Sequence, residues 1–205
     1  LRGGTYQSHK ETLNHGFKIA WKAGLSAVFE MPNTVPALTS ELEIVRRIEA
    51  GEEVLKELNI PLFHGVIPGL TNSKDQIGEV VNIWKRMFPK IPGLKMFAGH
   101  STGNMGITEY EQQRQIYTTL AGHNFTGVLM IHCEKEALLR PELFDPKNPE
   151  THLLARPPEA ETESVSDQIK LAGKEGFKGT LHVCHVSVPE SLNIIEDMRR
   201  KVSFT

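Results

Sequence analysis

The sequence predicts an α/β fold, an incomplete (β/α)8 barrel of the TIM type with about six strands present and its chemistry at the C-terminal strand ends. Three observations carry this reading. Helical and strand patterns alternate from end to end with no linker or low-complexity segment, which implies a parallel sheet covered by helices. Polar residues gather at the ends of strands, where barrels of this kind place their active sites. No glycine-rich phosphate turn follows an early strand, which counts against the structural rival, an open doubly wound sheet.

The elements follow in order. Residues 9–24 place Leu13, Phe17, Ala20, Trp21 and Gly24 on one helical stripe. LSAVFEMPN, 25–33, is a strand that breaks at Pro32. Residues 39–59 form a helix that opens on a Thr39 or Ser40 cap and carries Leu42, Val45, Leu55 and Leu58. PLFHGVIPG, 61–69, is the next strand. Residues 74–88 repeat Ile77, Val80, Val81, Trp84 and Phe88 at helical spacing. GLKMFAG, 93–99, is a strand, and a helix follows around Tyr110, Tyr117 and Leu120. GVLMIHCE, 127–134, is a strand. The stretch from Leu139 to Pro158, rich in proline and polar residues, reads as irregular. A helix with Val165, Ile169 and Ala172 covers 161–176, GTLHVCHVS, 179–187, is a strand, 189–201 a helix, and VSFT, 202–205, opens another strand. A complete barrel has eight strands in about 250 residues. One further strand is therefore expected before Leu1 and at least one after Thr205, and a polypeptide limited to 1–205 is expected to be inactive and poorly soluble.

Composition narrows the function classes. Hydrophobic residues make up 39% and charged residues 23%, as in soluble globular proteins. A net charge of −2 offers no electrostatic case for nucleic acid or an anionic membrane. No apolar run is long enough to span a bilayer and no signal peptide is apparent. Cys133 and Cys184 both sit in apolar strand-like runs, which suits a reducing compartment, hence a cytoplasmic location, with no disulfide framework. Nine histidines invite a search for metal ligands.

That search converges on three strand ends. Lys95 interrupts an apolar run, although a free ammonium is among the most costly groups to bury. His132 ends one later strand and His182 and His185 the next. The last two differ by three positions, so on a continuing strand they face opposite sides. The set Leu181, Val183, His185 and Ser187 is the better interior, which selects His185. Read singly, such residues are core histidines and a snorkelling lysine. Together they suggest a metal site in which Lys95, neutral and combined with carbon dioxide as a carbamate, becomes an anionic bridging ligand.

Five motifs in order then resemble those of dihydroorotases, in the amidohydrolase superfamily of metal-dependent cyclic amidases. These are LR at the start, FEMPNTVP, GLKMF, the pair of histidine strands IHCE and HVCHVS, and, between those two, ARPPEAE from Ala155 to Glu161. The resemblance runs along nearly the whole chain and implies a single, partial hydrolase barrel domain, 1–205. It implies two zinc ions, with carboxylated Lys95 bridging them and His132 and His185 as nitrogen ligands. Manganese or cobalt would also suit such ligands. It further implies that Arg2 and Asn33 hold a substrate carboxylate, that 99–106 is a lid, and that Thr102 donates from it. The family's first two metal histidines are expected before Leu1 and its general-base aspartate beyond Thr205. The implied reaction is reversible hydrolysis of dihydroorotate to N-carbamoyl-L-aspartate, in pyrimidine biosynthesis. The partner is thus a small molecule; a homodimer is compatible with the resemblance. The alternatives are a hydantoinase, dihydropyrimidinase or allantoinase, which need no guanidinium for an α-carboxylate, and a non-catalytic homologue.

Overall fold

A computed structural model describes residues 9–101 and 104–205. The chain divides into two compact units, one ending at Lys95 and the other running Met96–Thr205.

In the first unit, helix α1 (Leu13–Lys22) starts where Thr12 Oγ1 accepts a hydrogen bond from His15 N at 3.2 Å. Strand β1 (Ala27–Glu30) lies parallel to β2 (Phe63–Val66), with Ala27 opposite Phe63 and Glu30 opposite Val66. Between them runs α2 (Glu41–Leu58), capped by Ser40 and closed by Asn59 in the left-handed region at φ 51°. Helix α3 (Lys74–Met87), capped by Ser73, leads to β3 (Gly93–Ala98), whose six residues are all buried. Lys95 N donates to Pro68 O and Leu70 N to Lys95 O, both at 2.8 Å, which fastens this part of β3 to the segment after β2. Phe17, Ala20, Leu55 and Leu62 form an apolar core.

The buried stripe of α2 is Ile44, Ile48, Gly51 and Leu55. Of the expected stripe, Leu55 is buried and Leu58 packs against the core, whereas Leu42 is 57% exposed and Ile44 and Ile48 take its place in the N-terminal half. Gly51 explains the phase, because a Cβ there would stand 2.1 Å from His64 Nδ1. Trp21 and Phe88, expected on buried faces, are also exposed. The interior of this unit is not wholly apolar: Glu30 and His64 have no exposed surface. Arg47 Nη2 donates to Glu30 Oε2 at 2.6 Å and His64 Nε2 lies 2.9 Å from Glu30 Oε1. Burial pushes the Glu30 carboxyl upward, but the His64 and Arg47 contacts outweigh it and hold the group below the usual carboxylate range.

In the second unit the sheet order is β3, β4 (Val128–Cys133), β5 (Thr180–Val183), β6 (Ser203–Phe204), with β4–β5 and β5–β6 parallel. Helices α4 (Tyr110–Gly122), α6 (Pro158–Lys174) and α7 (Pro189–Met198) accompany it. Val165, Ile169 and Ala172 of α6 are buried, at the helical spacing expected of them. The stretch expected to be irregular contains a short helix, α5 (Thr151–Ala155), and a 3-10 turn at Pro141–Leu143. Inside the unit, a chain of amides joins α4 to α6. Tyr117 Oη donates to Gln168 Oε1 at 3.2 Å, Gln168 Nε2 to Gln113 Oε1 at 2.7 Å, and Gln113 Nε2 to Ile107 O at 2.7 Å. Among the described residues no helix is long and apolar enough to cross a membrane.

Candidate active site

The site is assembled where β4 and β5 end. His132, next to last in β4, is 7% exposed. Beyond it, Glu134 N donates to Ala98 O at 3.0 Å, and Gly99 makes this approach feasible. A Cβ on Gly99 would meet Glu134 O at 2.0 Å, and its φ of +122° suits glycine. Strand β5 stops at Val183, so face alternation does not extend to His185, and the parity expected to select it does not apply. Instead Cys184 N donates to Ile131 O at 2.9 Å and the backbone turns, with His185 in the left-handed region at φ 43°. That turn lays the His185 ring beside His132, with Nε2 of the former 3.2 Å from Nδ1 of the latter.

The other face of His132 meets a carboxylate. Its Nε2 lies 3.0 Å from Glu134 Oε2, an approach not aligned for a hydrogen bond, and among the described residues this buried nitrogen has no hydrogen-bond partner. Arg156 Nη1 closes on the same Glu134 oxygen. Burial pushes the Glu134 carboxyl up, while His132, Arg156 and His185 together hold it below its ordinary range. Glu161, on α6, accepts from Ser187 Oγ at 2.6 Å, Ser187 N at 3.0 Å and Val188 N at 3.1 Å. Burial pushes this carboxyl up as well, but the hydrogen bonds from Ser187 and the backbone amides outweigh it and hold the group below its ordinary range. These groups line a cavity of about 370 Å³ that also reaches His100 and His152. Glu134 and Glu161 against Arg156 leave its wall net negative before the imidazoles are counted, a field that favours a cation.

Of the residues expected in the site, His132 and His185 are brought together in the second unit. Lys95 belongs to the first, 2% exposed in the middle of β3 rather than at a strand end. Asn33 is half-buried in the first unit too, within a turn where Pro32 O accepts from Thr34 N at 2.8 Å and Leu38 N at 3.0 Å. Arg2 and Thr102 lie outside the described residues. The segment expected to be a lid, 99–106, is fastened where it is described: His100 Nδ1 lies 2.7 Å from Glu136 Oε1, and Gly106 bridges to Phe97. Among the described residues no group of three or more His, Cys, Asp or Glu side chains is arranged to hold a metal. The roles of Glu134, Arg156 and Glu161 were missed at the sequence level, although the IHCE and ARPPEAE motifs contain all three. His100 was legible only as part of the expected lid, 99–106, and His152 carried no signal, being an isolated histidine.

No protein-family model matches the chain. It is similar to the dihydroorotase of Methanothermobacter thermautotrophicus, 27% identical over 198 residues, covering 95% of this chain and 41% of that protein. It is also similar to the allantoinase of Escherichia coli, 26% identical over 206 residues, covering 95% and 42%. Among solved structures, L-hydantoinase from Arthrobacter aurescens superposes with a TM-score of 0.75 at 16% identity, over 92% of this chain and 40% of that one. The α/β fold with parallel strands is therefore that of part of a hydantoinase TIM barrel. The chain spans about two fifths of the length of these relatives.

Proposed function

We propose that this dihydroorotase-like chain carries part of a metal-dependent site that hydrolyses a cyclic amide, with His132 and His185 as metal ligands. One observation supports it above the others: His132 Nδ1 and His185 Nε2 stand 3.2 Å apart. Two ligating nitrogens on a tetrahedral zinc, at bonds of about 2.0–2.1 Å, are separated by about 3.3–3.4 Å. The pair therefore fits two corners of one ion. A bound divalent metal supplies Lewis-acid polarisation of the ring carbonyl and lowers the pKa of the attacking water.

The chain's own residues do the rest. Glu134, itself held by Arg156, places a negative charge 3.0 Å from His132 Nε2, the ring nitrogen away from His185. The resemblance, not a distance, assigns Lys95 as the carboxylated bridging ligand between two zinc ions. Asn33 and Arg2 hold the substrate carboxylate, the guanidinium by a two-pronged contact, and Thr102 donates from the lid. The substrate we assign is dihydroorotate, converted reversibly to N-carbamoyl-L-aspartate in pyrimidine biosynthesis. A cytoplasmic, small-molecule enzyme without nucleic-acid or membrane partners goes with this reading.

The test uses the natural polypeptide that carries this chain. His185→Ala should lose zinc, measured by elemental analysis, and dihydroorotate turnover far more than His182→Ala; equal losses would reject His185 as a ligand. Arg2→Met should lower kcat/KM for dihydroorotate by about ten- to a hundredfold, the worth of a charge-assisted hydrogen bond. Dihydrouracil, which lacks the carboxylate, should barely respond.

A ring with an apolar substituent is the second reading, and a specific observation favours it. A cavity of about 510 Å³ shares His100, His152 and Arg156 with the site and is otherwise lined largely by Leu139, Pro141, Phe144 and Ala155. Faster hydrolysis of a substituted hydantoin than of dihydroorotate would decide for it.

A further inference from the structure

His185 occupies a backbone conformation that few non-glycine residues adopt, at φ 43°. Such a residue stays there only when its flanks are fixed. On one side, Cys184 N is fixed to Ile131 O at 2.9 Å. On the other, every described tie on Ser187 runs to a single side chain: Glu161 accepts from Ser187 N, Ser187 Oγ and Val188 N. Glu161 is 9% exposed and comes from α6, a different element from the turn it holds. Helix α7 begins at Pro189 with Val188 as its cap residue, and Val188 contributes no side-chain cap. The Glu161 carboxylate takes that place, satisfying backbone donors at the helix entrance where negative charge is favoured.

We propose that Glu161 is a positioning residue for His185. Its carboxylate clamps the turn that follows, holds His185 in the left-handed region, and thereby keeps its ring against His132. The claim rests on the reading of His132 and His185 as metal ligands only for its consequence in metal affinity. Its geometric content stands without metal.

The experiment has two arms, each applied to Glu161→Ala and to Glu161→Gln, which keeps one acceptor oxygen. In metal-free protein labelled with 15N-histidine, the ring resonances of His132 and His185 report their mutual contact, with assignments from His185→Gln. The Ala variant should shift both, and Gln should return them part of the way. In the second arm, zinc affinity is measured by chelator competition. Glu161→Ala should weaken it about 10–100-fold, the usual effect of removing a group that orients a ligand. Gln168→Ala, a buried polar change on the same helix, should lower the melting temperature without moving either readout. Unmoved His185 resonances in Glu161→Ala would overturn the proposal, as would an equal response in Gln168→Ala. If the wild type takes up no zinc, the metal reading fails, and the resonances alone decide for or against the clamp.

Discussion

At the level of single residues, the largest energies sit where charge is buried. Glu30 is enclosed with His64 and Arg47, and removing one member of such a set leaves the others uncompensated. Glu30→Gln should therefore cost about 3–5 kcal/mol at neutral pH, read from urea unfolding. The pH dependence follows from the direction of its titration. The folded carboxyl is held below its unfolded value, so between the two values the unfolded chain binds the extra proton. The stabilisation is complete above the ordinary carboxylate range and is lost as pH falls through the folded value. The gap between wild type and Glu30→Gln should accordingly narrow in acid, and a constant gap would rule out the linkage. Lys95 and the histidines were conspicuous in the sequence because they interrupt apolar runs. Glu30 was not, because a carboxylate next to Met31 and Pro32 reads as the polar end of a strand. Only its neighbours in space, 17 and 34 positions away, reveal what it is for.

At the level of elements, most boundaries were legible and some faces were not. The caps Ser40 and Ser73 mark helix starts through a side-chain oxygen that accepts a backbone N–H, a local signal. The face that α2 buries is a tertiary matter. Gly51 carries no hydrophobic signal, yet it is the point of closest approach to His64 and sets the rotation of the helix. Ile44→Ala should then cost about 2–5 kcal/mol, and Leu42→Ala no more than about 0.5 kcal/mol, as at other exposed positions. The reverse order in denaturant midpoints would restore the stripe expected from the sequence. Strand β5 illustrates the opposite failure. An apolar run from Leu181 to Val186 looks like one long strand, but pairing with β4 ends after Val183. Periodicity carries no record of where a ladder stops, so His185 was singled out for a reason that does not hold.

At the level of the whole chain, alternation of helix and strand was the dependable signal, because each element must bury one face against the next. The cavity was half legible: its motifs were visible, whereas the pairing of Glu134 with Arg156 and of Glu161 with Ser187 joins residues 22 and 26 positions apart. Binding of zinc, if His132 and His185 hold it as proposed, must raise global stability, since the unfolded chain has no such site. At free zinc one hundred times the dissociation constant the gain is about 2.7 kcal/mol. It should appear as a higher melting temperature that chelator reverses and that His185→Ala abolishes; a zinc-independent melting temperature would argue against the site. The amide chain from Tyr117 through Gln168 and Gln113 to Ile107 bears on a different matter, the routes open to sequence drift. Each amide there both gives and receives, so altering one strands its neighbours, while converting the set together to apolar side chains of similar volume strands none but the Ile107 carbonyl. Descendants of this sequence should therefore keep Gln113 and Gln168 together or lose them together, and intermediates with one alone should be rare.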